Sequence, residues 1–207
     1  MQAINAFARR LPTGIVWAAG LVPLVWLIWS AVTARLGADP VKAIEHALGL
    51  WGLQFLIASL CISPLRRLGL NLIKFRRALG VTAFLYIALH FLTWLWLDMD
   101  LRWSETWADL AKRPYIILGM IGLLAMIPLA VTSTDSAIRR MGGAKWRKLH
   151  RLTYVAAVAG ALHFVILVKG WPPEPLLYLA AVGSLLLMRA IGTGRRGATG
   201  KTGRQSA

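Results

Sequence analysis

The chain has 207 residues, of which 57% are apolar and only 15% are charged, and its mean hydropathy is +0.60. Soluble domains have about a quarter charged residues, so this composition excludes an ordinary water-soluble enzyme, and it also excludes a disordered chain. The single cysteine, Cys61, excludes a disulfide framework and a cysteine-rich metal site. The net charge of +16 is typical either of a nucleic-acid-binding protein or of a membrane protein with basic cytoplasmic loops.

Six strongly apolar segments follow one another along the chain, and none of them contains Asp, Glu, Lys or Arg. A bilayer core requires about 17–25 apolar residues per helix, so the second and the last segment are short. The pattern predicts an all-α polytopic membrane protein with a bundle of six transmembrane helices in one domain, residues 1–191, followed by a disordered basic cytoplasmic tail, residues 192–207. The predicted spans are 15–32, 48–63, 79–97, 115–132, 152–168 and 175–188.

The charged residues separate into two sets when they are sorted by loop. The N-terminus, the second loop, the fourth loop and the tail hold 18 of the 24 basic residues and one acid, Asp135. The remaining loops hold the other seven acids. The positive-inside rule then places both termini in the cytoplasm. Because lipid headgroups are the ordinary partners of such residues, the charge does not indicate nucleic-acid binding.

His90 and His163 are the only His, Asp, Glu, Lys or Arg side chains inside the predicted spans. Each lies 11 residues from the inner end of its span, which is about 16 Å along a helix. Imidazole is a strong iron ligand, and two histidines at equal depth on different helices indicate a bis-histidine b-type haem. The alternative is a buried imidazole bonded to a backbone carbonyl or a hydroxyl. Zinc is disfavoured because no cysteine or carboxylate is at hand to complete four ligands.

The residues around these histidines are interpreted as follows. Ala156, Ala159 and Gly160 precede His163 by seven, four and three residues and leave room for a flat macrocycle, although small residues also serve helix packing. Tyr86 and Trp94 flank His90 by four residues on each side. We interpret both as core aromatics, with pocket lining as the alternative.

Further candidates lie at the ends of the spans. His150 lies at the inner end of the fifth span, and three roles stay open for it: a ligand of a second haem, a flavin or propionate contact, or an ordinary interfacial histidine. His46, at the outer edge of the second span, is interpreted as interfacial, with a quinone or partner contact as the alternative. Four inner-loop arginines are candidates for charge-assisted bonds to haem propionates or a flavin phosphate, with an ordinary role in the positive-inside topology as the alternative: Arg76, Arg77, Arg147 and Arg151.

Three sequence runs carry a family resemblance. The run KFRRALG at residues 74–80 leads to His90, KRPYI at residues 112–116 opens the fourth span, and WRKLHRLTY at residues 146–154 leads to His163. Together they resemble the ferric-reductase-like transmembrane superfamily over nearly the whole chain. The resemblance is greatest to the haem-binding membrane subunits of periplasmic methionine-sulfoxide reductase systems.

The resemblance implies a multi-pass protein of the bacterial inner membrane with one or two b-type haems and bound FMN. It implies electrons that come from the quinone pool or a cytoplasmic flavin reductase and pass to a periplasmic molybdenum-containing subunit, which reduces methionine sulfoxide in proteins. The family's haem ligands fall on His90, His150 and His163, and no catalytic residue falls on this chain.

Two other function classes stay open. One is a stand-alone haem ferric or quinone reductase, which would use the same pocket without a dedicated partner. The other is a cofactor-free membrane transporter or scaffold. Proton-coupled transporters carry carboxylates at membrane depth, and the predicted spans contain none, so the sequence favours electron transfer.

Overall fold

The computed structural model describes residues 1–168 and 170–202, with side chains described as far as Ile191. The described ranges are helical and contain no strand. A 3₁₀ turn, Ile73–Phe75, precedes α4, and a π-helical turn, Trp94–Asp98, follows it. The α-helices in these ranges are α1 Gln2–Arg10, α2 Thr13–Val32, α3 Pro40–Arg67, α4 Arg76–Thr93, α5 Trp103–Lys112, α6 Pro114–Val131, α7 Asp135–Met141, α8 Gly143–Leu149, α9 Leu152–Leu167 and α10 Pro173–Thr202.

Six helical segments of the described chain are long and apolar enough to cross a membrane, which confirms the predicted all-α membrane bundle. Each contains one of the six predicted spans, apart from one residue at the end of the fourth and the fifth. The protein is therefore a multi-pass membrane protein. The segments are Thr13–Val32, Pro40–Arg67, Ile73–Asp98, Pro114–Val131, Gly143–Leu167 and Pro173–Ile191.

The second span is much longer than predicted. Its apolar core covers only residues 48–63, whereas helix α3 runs from Pro40 to Arg67. Pro40 occupies the first turn of α3, where its missing N–H costs nothing, and the Asp39 side chain accepts a hydrogen bond from the Lys42 backbone N–H at 3.1 Å. At the other end, α3 continues through Arg66 and Arg67. Charged residues at both ends let the helix extend beyond the hydrocarbon layer, so hydropathy alone underestimates its length.

The bundle is built from two helix pairs. Helix α3 packs along α4, α6 packs along α9, and α10 covers α9 on its other side. Small residues such as Ala83, Ala157 and Ala161 are fully buried and let the backbones approach closely, as expected where lipid removes the usual hydrophobic drive between helices. Leu56, Leu60, Met126, Val182 and Leu185 fill the core between them.

Helix α2 lies at the edge of the bundle and packs on both α4 and α3. Helices α2 and α4 come very close at Gly20, where an added Cβ would lie 2.9 Å from the Thr82 side chain. One turn further along α4, the fully buried Tyr86 hydroxyl donates a 2.8 Å hydrogen bond to the Gly20 carbonyl. Tyr86 is therefore a core residue, in agreement with the interpretation from the sequence.

We call the side of the membrane that holds the N-terminus and the α3–α4 and α6–α9 loops the basic side, and the opposite side the acidic side. Helix α5 lies on the acidic side, with Trp103 and Trp107 both exposed. The predicted disordered tail, residues 192–207, falls outside the residues whose side chains are described, and it stays a prediction.

Candidate functional site

A cavity lies between α3, α4, α6 and α9, in the half of the bundle nearer the acidic side. Most of its lining is apolar, and the residues that bring polar groups to it are Glu45, His46, His90, Tyr115 and His163. Counted with the open solvent that reaches it, the space between these helices is about 1150 Å³. Ala156 and Gly160, which were predicted to leave room for a flat ligand, are among the residues that line it.

His90 and His163 enter this cavity from α4 and α9. Their ring centroids lie 6.1 Å apart and their planes are inclined by 81°. The Nδ1 atom of His90 lies 2.8 Å from the Glu45 carbonyl oxygen, and that of His163 lies 2.6 Å from the Tyr115 carbonyl oxygen. The two predicted ligands thus lie at one site, and each is held by the backbone of a neighbouring helix.

The two backbone contacts fix the protonation of the rings. A carbonyl oxygen only accepts hydrogen bonds, so Nδ1 of each histidine must donate, and the proton of the neutral ring therefore sits on Nδ1. The lone pair of each ring is then left on Nε2. An Nδ1–H bonded to a carbonyl is the usual outer partner of a metal-binding histidine, because it fixes both the tautomer and the ring orientation.

Two glycines make these contacts possible. A Cβ at Gly49 would lie 3.2 Å from Nδ1 of His90, and a Cβ at Gly119 would lie 3.1 Å from Nδ1 of His163. Each glycine comes four residues after the residue whose carbonyl accepts the bond, so it lies one turn along on the same helix face. Sequence reasoning missed both glycines. A glycine inside an apolar span is the only signal that could have indicated them.

The spacing of the two rings suits a single shared metal atom. A metal–imidazole bond is about 2 Å long and a ring nitrogen lies about 1.1 Å from its ring centroid, so two imidazoles on opposite sides of one iron have centroids roughly 6 Å apart. The 6.1 Å separation of His90 and His163 matches this value. The apolar lining and the two neutral imidazoles are a donor set that fits haem iron, which His90 and His163 would hold.

The cavity also contains residues that sequence reasoning placed elsewhere. Trp94 lines it, so the interpretation of Trp94 as a core aromatic is wrong, and the alternative of pocket lining applies. Glu45 also lines it, and its Oε1 atom is buried without a hydrogen-bond partner among the described residues. The predicted second span began at residue 48 and left this carboxylate outside, because an apolar window ends where charge begins.

His150 lies apart from this cavity, on the basic side. Its Nε2 atom is 3.1 Å from the Thr132 hydroxyl, and its ring stacks on Trp146 with centroids 3.8 Å apart. Trp146 is in turn fixed by a 2.9 Å hydrogen bond from its Nε1 to the Thr132 carbonyl. His46 lines the acidic-side cavity and contacts the Phe164 ring edge-on at 5.8 Å, so it is the third histidine of that cavity.

The four arginines that the sequence singled out lie on the basic side, away from the cavity of His90 and His163. Arg77 forms an ion pair with Asp135 at 2.5 Å, which holds the pKa of that carboxyl below its ordinary value. Arg147 and Arg151 are exposed, whereas Arg76 is half-buried and its charge acts on His150. Arg76 is thus the one of the four that faces the interior of the bundle.

Comparison with known families identifies the class of this bundle. The family model described as "Ferric reductase like transmembrane component" matches residues 45–161, which is more than half of the chain. The match begins at Glu45, whose carbonyl holds His90, and includes His150; His163 lies two residues past its end. The fold is therefore that of a transmembrane component of the ferric-reductase type.

Comparison with individual proteins shows which members of this class the chain resembles. The chain is 47% identical to the protein-methionine-sulfoxide reductase heme-binding subunit MsrQ of Brucella ovis over 176 residues, which cover 84% of this chain and 80% of the relative. It is 46% identical to the subunit of the same name from Brucella anthropi over 178 residues, which cover 86% and 80%. The chain belongs to the ferric-reductase-like transmembrane family, in its MsrQ group.

Proposed function

We propose that this protein is the membrane electron-transfer subunit of a methionine-sulfoxide reductase system, and that it binds b-type haem between His90 and His163. The observation that carries the proposal is the pair of neutral imidazoles, whose ring centroids lie 6.1 Å apart. Because Nδ1 of each ring bonds a backbone carbonyl, the lone pair on each Nε2 is available to a metal. The relatives in Brucella, which are named heme-binding subunits of such a reductase, support it.

When bound, haem would supply a one-electron redox couple near the acidic side of the membrane. The protein would contribute the two ligands, their orientation by the Glu45 and Tyr115 carbonyls, and a mostly apolar cavity around them. In this proposal a partner subunit carries out the reduction of methionine sulfoxide.

The direction of electron transfer is a further part of the proposal. We place the basic side in the cytoplasm of a bacterium, with the protein in the inner membrane, by the positive-inside rule. Electrons would enter there from the quinone pool or a cytoplasmic flavin reductase, pass through FMN and then haem, and leave on the acidic side. The acceptor would be MsrP, a periplasmic molybdenum-containing reductase subunit.

His150 is the remaining candidate ligand in this scheme. A second haem on the basic side would need its Nε2 atom, which now bonds the Thr132 hydroxyl, and a ligand on the opposite face. We keep His150 as a proposed ligand or flavin contact of a basic-side cofactor. Haem counting in a His150→Ala variant decides between one haem and two.

A stand-alone haem ferric or quinone reductase is the second candidate function. The match to a ferric-reductase family model is the observation that favours it, since such a protein would use the same cavity. A cofactor-free transporter or scaffold is the third, and it predicts no haem absorption. The names of the relatives, at 46–47% identity, favour the partnered electron-transfer subunit over both.

The test uses the full-length protein purified in nanodiscs. We expect a b-type haem spectrum that is lost in His90→Ala and in His163→Ala and kept in the matched control His46→Ala, whose ring shares the cavity. Reduced wild-type protein should then be reoxidised by MsrP with methionine sulfoxide. Full haem retention in both variants, or a colourless wild type, would refute the haem proposal. Haem that MsrP cannot reoxidise would point to the stand-alone reductase.

A further inference from the structure

Helix α1, on the basic side, leaves large apolar side chains exposed. Ile4 and Phe7 are three residues apart, so they share one face of the helix, and their relative solvent exposures are 55% and 63%. Arg9 and Arg10 lie about 140° and 120° from Ile4 around the helix axis, on the opposite side. The sequence contains no acid before Asp39. The helix is therefore amphipathic and positively charged, and the described chain leaves its apolar face uncovered.

Hydrogen bonds fix how this helix is turned. The Asn5 side chain donates a 2.7 Å bond to the Gly69 carbonyl and accepts a 2.9 Å bond from the Asn71 backbone N–H, both in the α3–α4 loop. Ala8, three residues further along the same face, is buried. Because Asn5 lies about 160° from Phe7 around the axis, a helix attached to the bundle through Asn5 holds the Phe7 ring away from the bundle.

The connection to the first span places α1 at the surface of the membrane. Only Leu11 and Pro12 separate it from Thr13, where α2 begins, and both linking residues have extended backbone, so α1 does not continue the axis of α2. A link this short keeps the end of α1 within about 10 Å of the hydrocarbon boundary. The Lys74 ammonium donates hydrogen bonds to the Arg9 carbonyl, at 2.9 Å, and to the Leu11 carbonyl, which holds this end of α1 against the turn before α4.

We propose that α1 lies in the plane of the membrane on the basic side, with its exposed apolar face among the acyl chains and its two arginines at anionic phospholipid headgroups. An amphipathic helix binds an interface through its apolar area and through the attraction of its basic residues to anionic lipids. Two observations favour the bilayer over a protein partner. The apolar surface continues into the first turn of the first span, where Ile15 is also exposed, and the basic-side segments hold 18 basic residues against one acid.

This placement goes beyond electron transfer and does not rest on the proposed haem or flavin. Its consequence is for the α3–α4 loop, which Asn5 and Lys74 attach to α1. Contact of α1 with the lipid would restrain that loop and, through it, the start of α4, the helix that carries His90.

The first arm of the experiment places single spin labels on α1 of the full chain in nanodiscs of phosphatidylcholine and phosphatidylglycerol. Cys61 is the one cysteine of the sequence, so Cys61→Ala gives a background without other thiols. Labels are attached at Ile4→Cys and Phe7→Cys on the apolar face, and at the matched control Gln2→Cys, which is also exposed but lies about 160° from Ile4. Electron paramagnetic resonance compares relaxation of each label by oxygen, which concentrates in the bilayer, with relaxation by a water-soluble nickel chelate.

We expect the labels at positions 4 and 7 to respond more strongly to oxygen than to nickel, and the label at position 2 to show the reverse order. Equal access of nickel to all three labels would overturn the proposal, because α1 would then lie in water. Protection of positions 4 and 7 from both reagents would also overturn it, because a protein partner or a second copy of the chain would then cover the face. Circular dichroism checks that each labelled variant is folded.

The second arm tests the two arginines. The double variant Arg9→Gln/Arg10→Gln is compared with Arg139→Gln/Arg140→Gln, a matched exposed pair on α7, whose helix also carries Asp135. Retained phosphatidylglycerol is counted by native mass spectrometry after release from the mixed nanodiscs. We expect the first variant to weaken phosphatidylglycerol retention by up to about five-fold per arginine, and the second variant to weaken it less. No loss in the first variant, or an equal loss in both, would overturn the proposed contact with anionic headgroups.

Discussion

His90 and His163 present their rings to each other at 81°, close to perpendicular, with centroids 6.1 Å apart. The angle has a local cause, because each ring is held by its Nδ1 bond to a carbonyl of a different helix. Glu45 on α3 fixes one ring and Tyr115 on α6 fixes the other, and these helices belong to the two separate pairs of the bundle. The relative angle of the rings is therefore set by how the two helix pairs pack.

This angle leads to the first prediction, a spectroscopic one. With haem bound, perpendicular axial imidazoles leave the iron orbitals nearly degenerate, so the low-spin ferric protein should show a single strong low-field signal in electron paramagnetic resonance. Parallel rings would instead give three well-resolved signals. The measurement is a low-temperature spectrum of the oxidised protein in nanodiscs. A three-signal spectrum would show that the rings turn when the metal binds.

The second prediction concerns the glycines beside the histidines. Gly49→Ala and Gly119→Ala each introduce a Cβ at 3.2 or 3.1 Å from an Nδ1 atom, so the ring must move away from its carbonyl. Loss of such an outer hydrogen bond typically costs about 10–100-fold in metal affinity. We expect weaker haem retention of that order, measured by transfer of haem to apomyoglobin.

The matched control for these variants is Gly183→Ala on α10, where an added Cβ has no described atom within 4 Å. Alanine favours helix over glycine by about 1 kcal/mol, so this change should leave haem binding unaltered and stability equal or higher. Equal haem retention in all three glycine variants would contradict the role we assign to Gly49 and Gly119.

The sequence predicted the two candidate ligand histidines but not the two glycines beside their rings, for a physical reason. A histidine inside an apolar span stands out because placing an ionisable group there is costly, and the equal depth of His90 and His163 follows from helical rise alone. Gly49 and Gly119 do not stand out, because glycine is common in membrane helices. Their role depends on which turn of α3 faces α4 and which turn of α6 faces α9, and tertiary packing decides that.

The boundaries of the predicted spans show a related limit. Helices α2 and α6 have apolar ends, so their predicted and observed limits differ by at most two residues. Helix α3 carries charged residues within its first two turns, and the apolar window stopped short of them. As a result Glu45 was placed outside the membrane segment, although its carbonyl and its side chain both reach the cavity.

The third prediction concerns the attachment of α2. Tyr86→Phe removes the 2.8 Å hydrogen bond to the Gly20 carbonyl at a fully buried position, while the ring still fills its space. We expect a loss of about 1 kcal/mol in the free energy of unfolding, since buried hydrogen bonds between membrane helices contribute about 0.6–1.5 kcal/mol. Steric trapping or thermal unfolding in detergent measures it.

Thr33→Ala is the control for this variant. It removes a 2.8 Å bond from an exposed hydroxyl to the Trp29 carbonyl within α2, where water replaces the lost partner. The loss should be clearly smaller than that of Tyr86→Phe. An equal or larger loss would show that α2 is not fixed to α4 through the Tyr86 hydroxyl.

The last prediction concerns pH and the ion pair that ties α4 to α7 on the basic side. Arg77 bonds Asp135 at 2.5 Å and keeps the pKa of the Asp135 carboxyl below its ordinary value in the folded protein. A group whose pKa is lowered by folding stabilises the protein above its unfolded pKa, about 3.9 for Asp, and loses that contribution as the pH falls through the lowered folded value. The thermal stability of wild type should therefore decrease relative to Asp135→Asn between about pH 4 and the lower folded pKa. Both side chains are largely exposed, so the difference should be small and should shrink in high salt.

Since Arg77→Gln removes the same pair, adding Asp135→Asn to it should produce no further change; an additive loss in the double variant would mean that Asp135 acts through another partner.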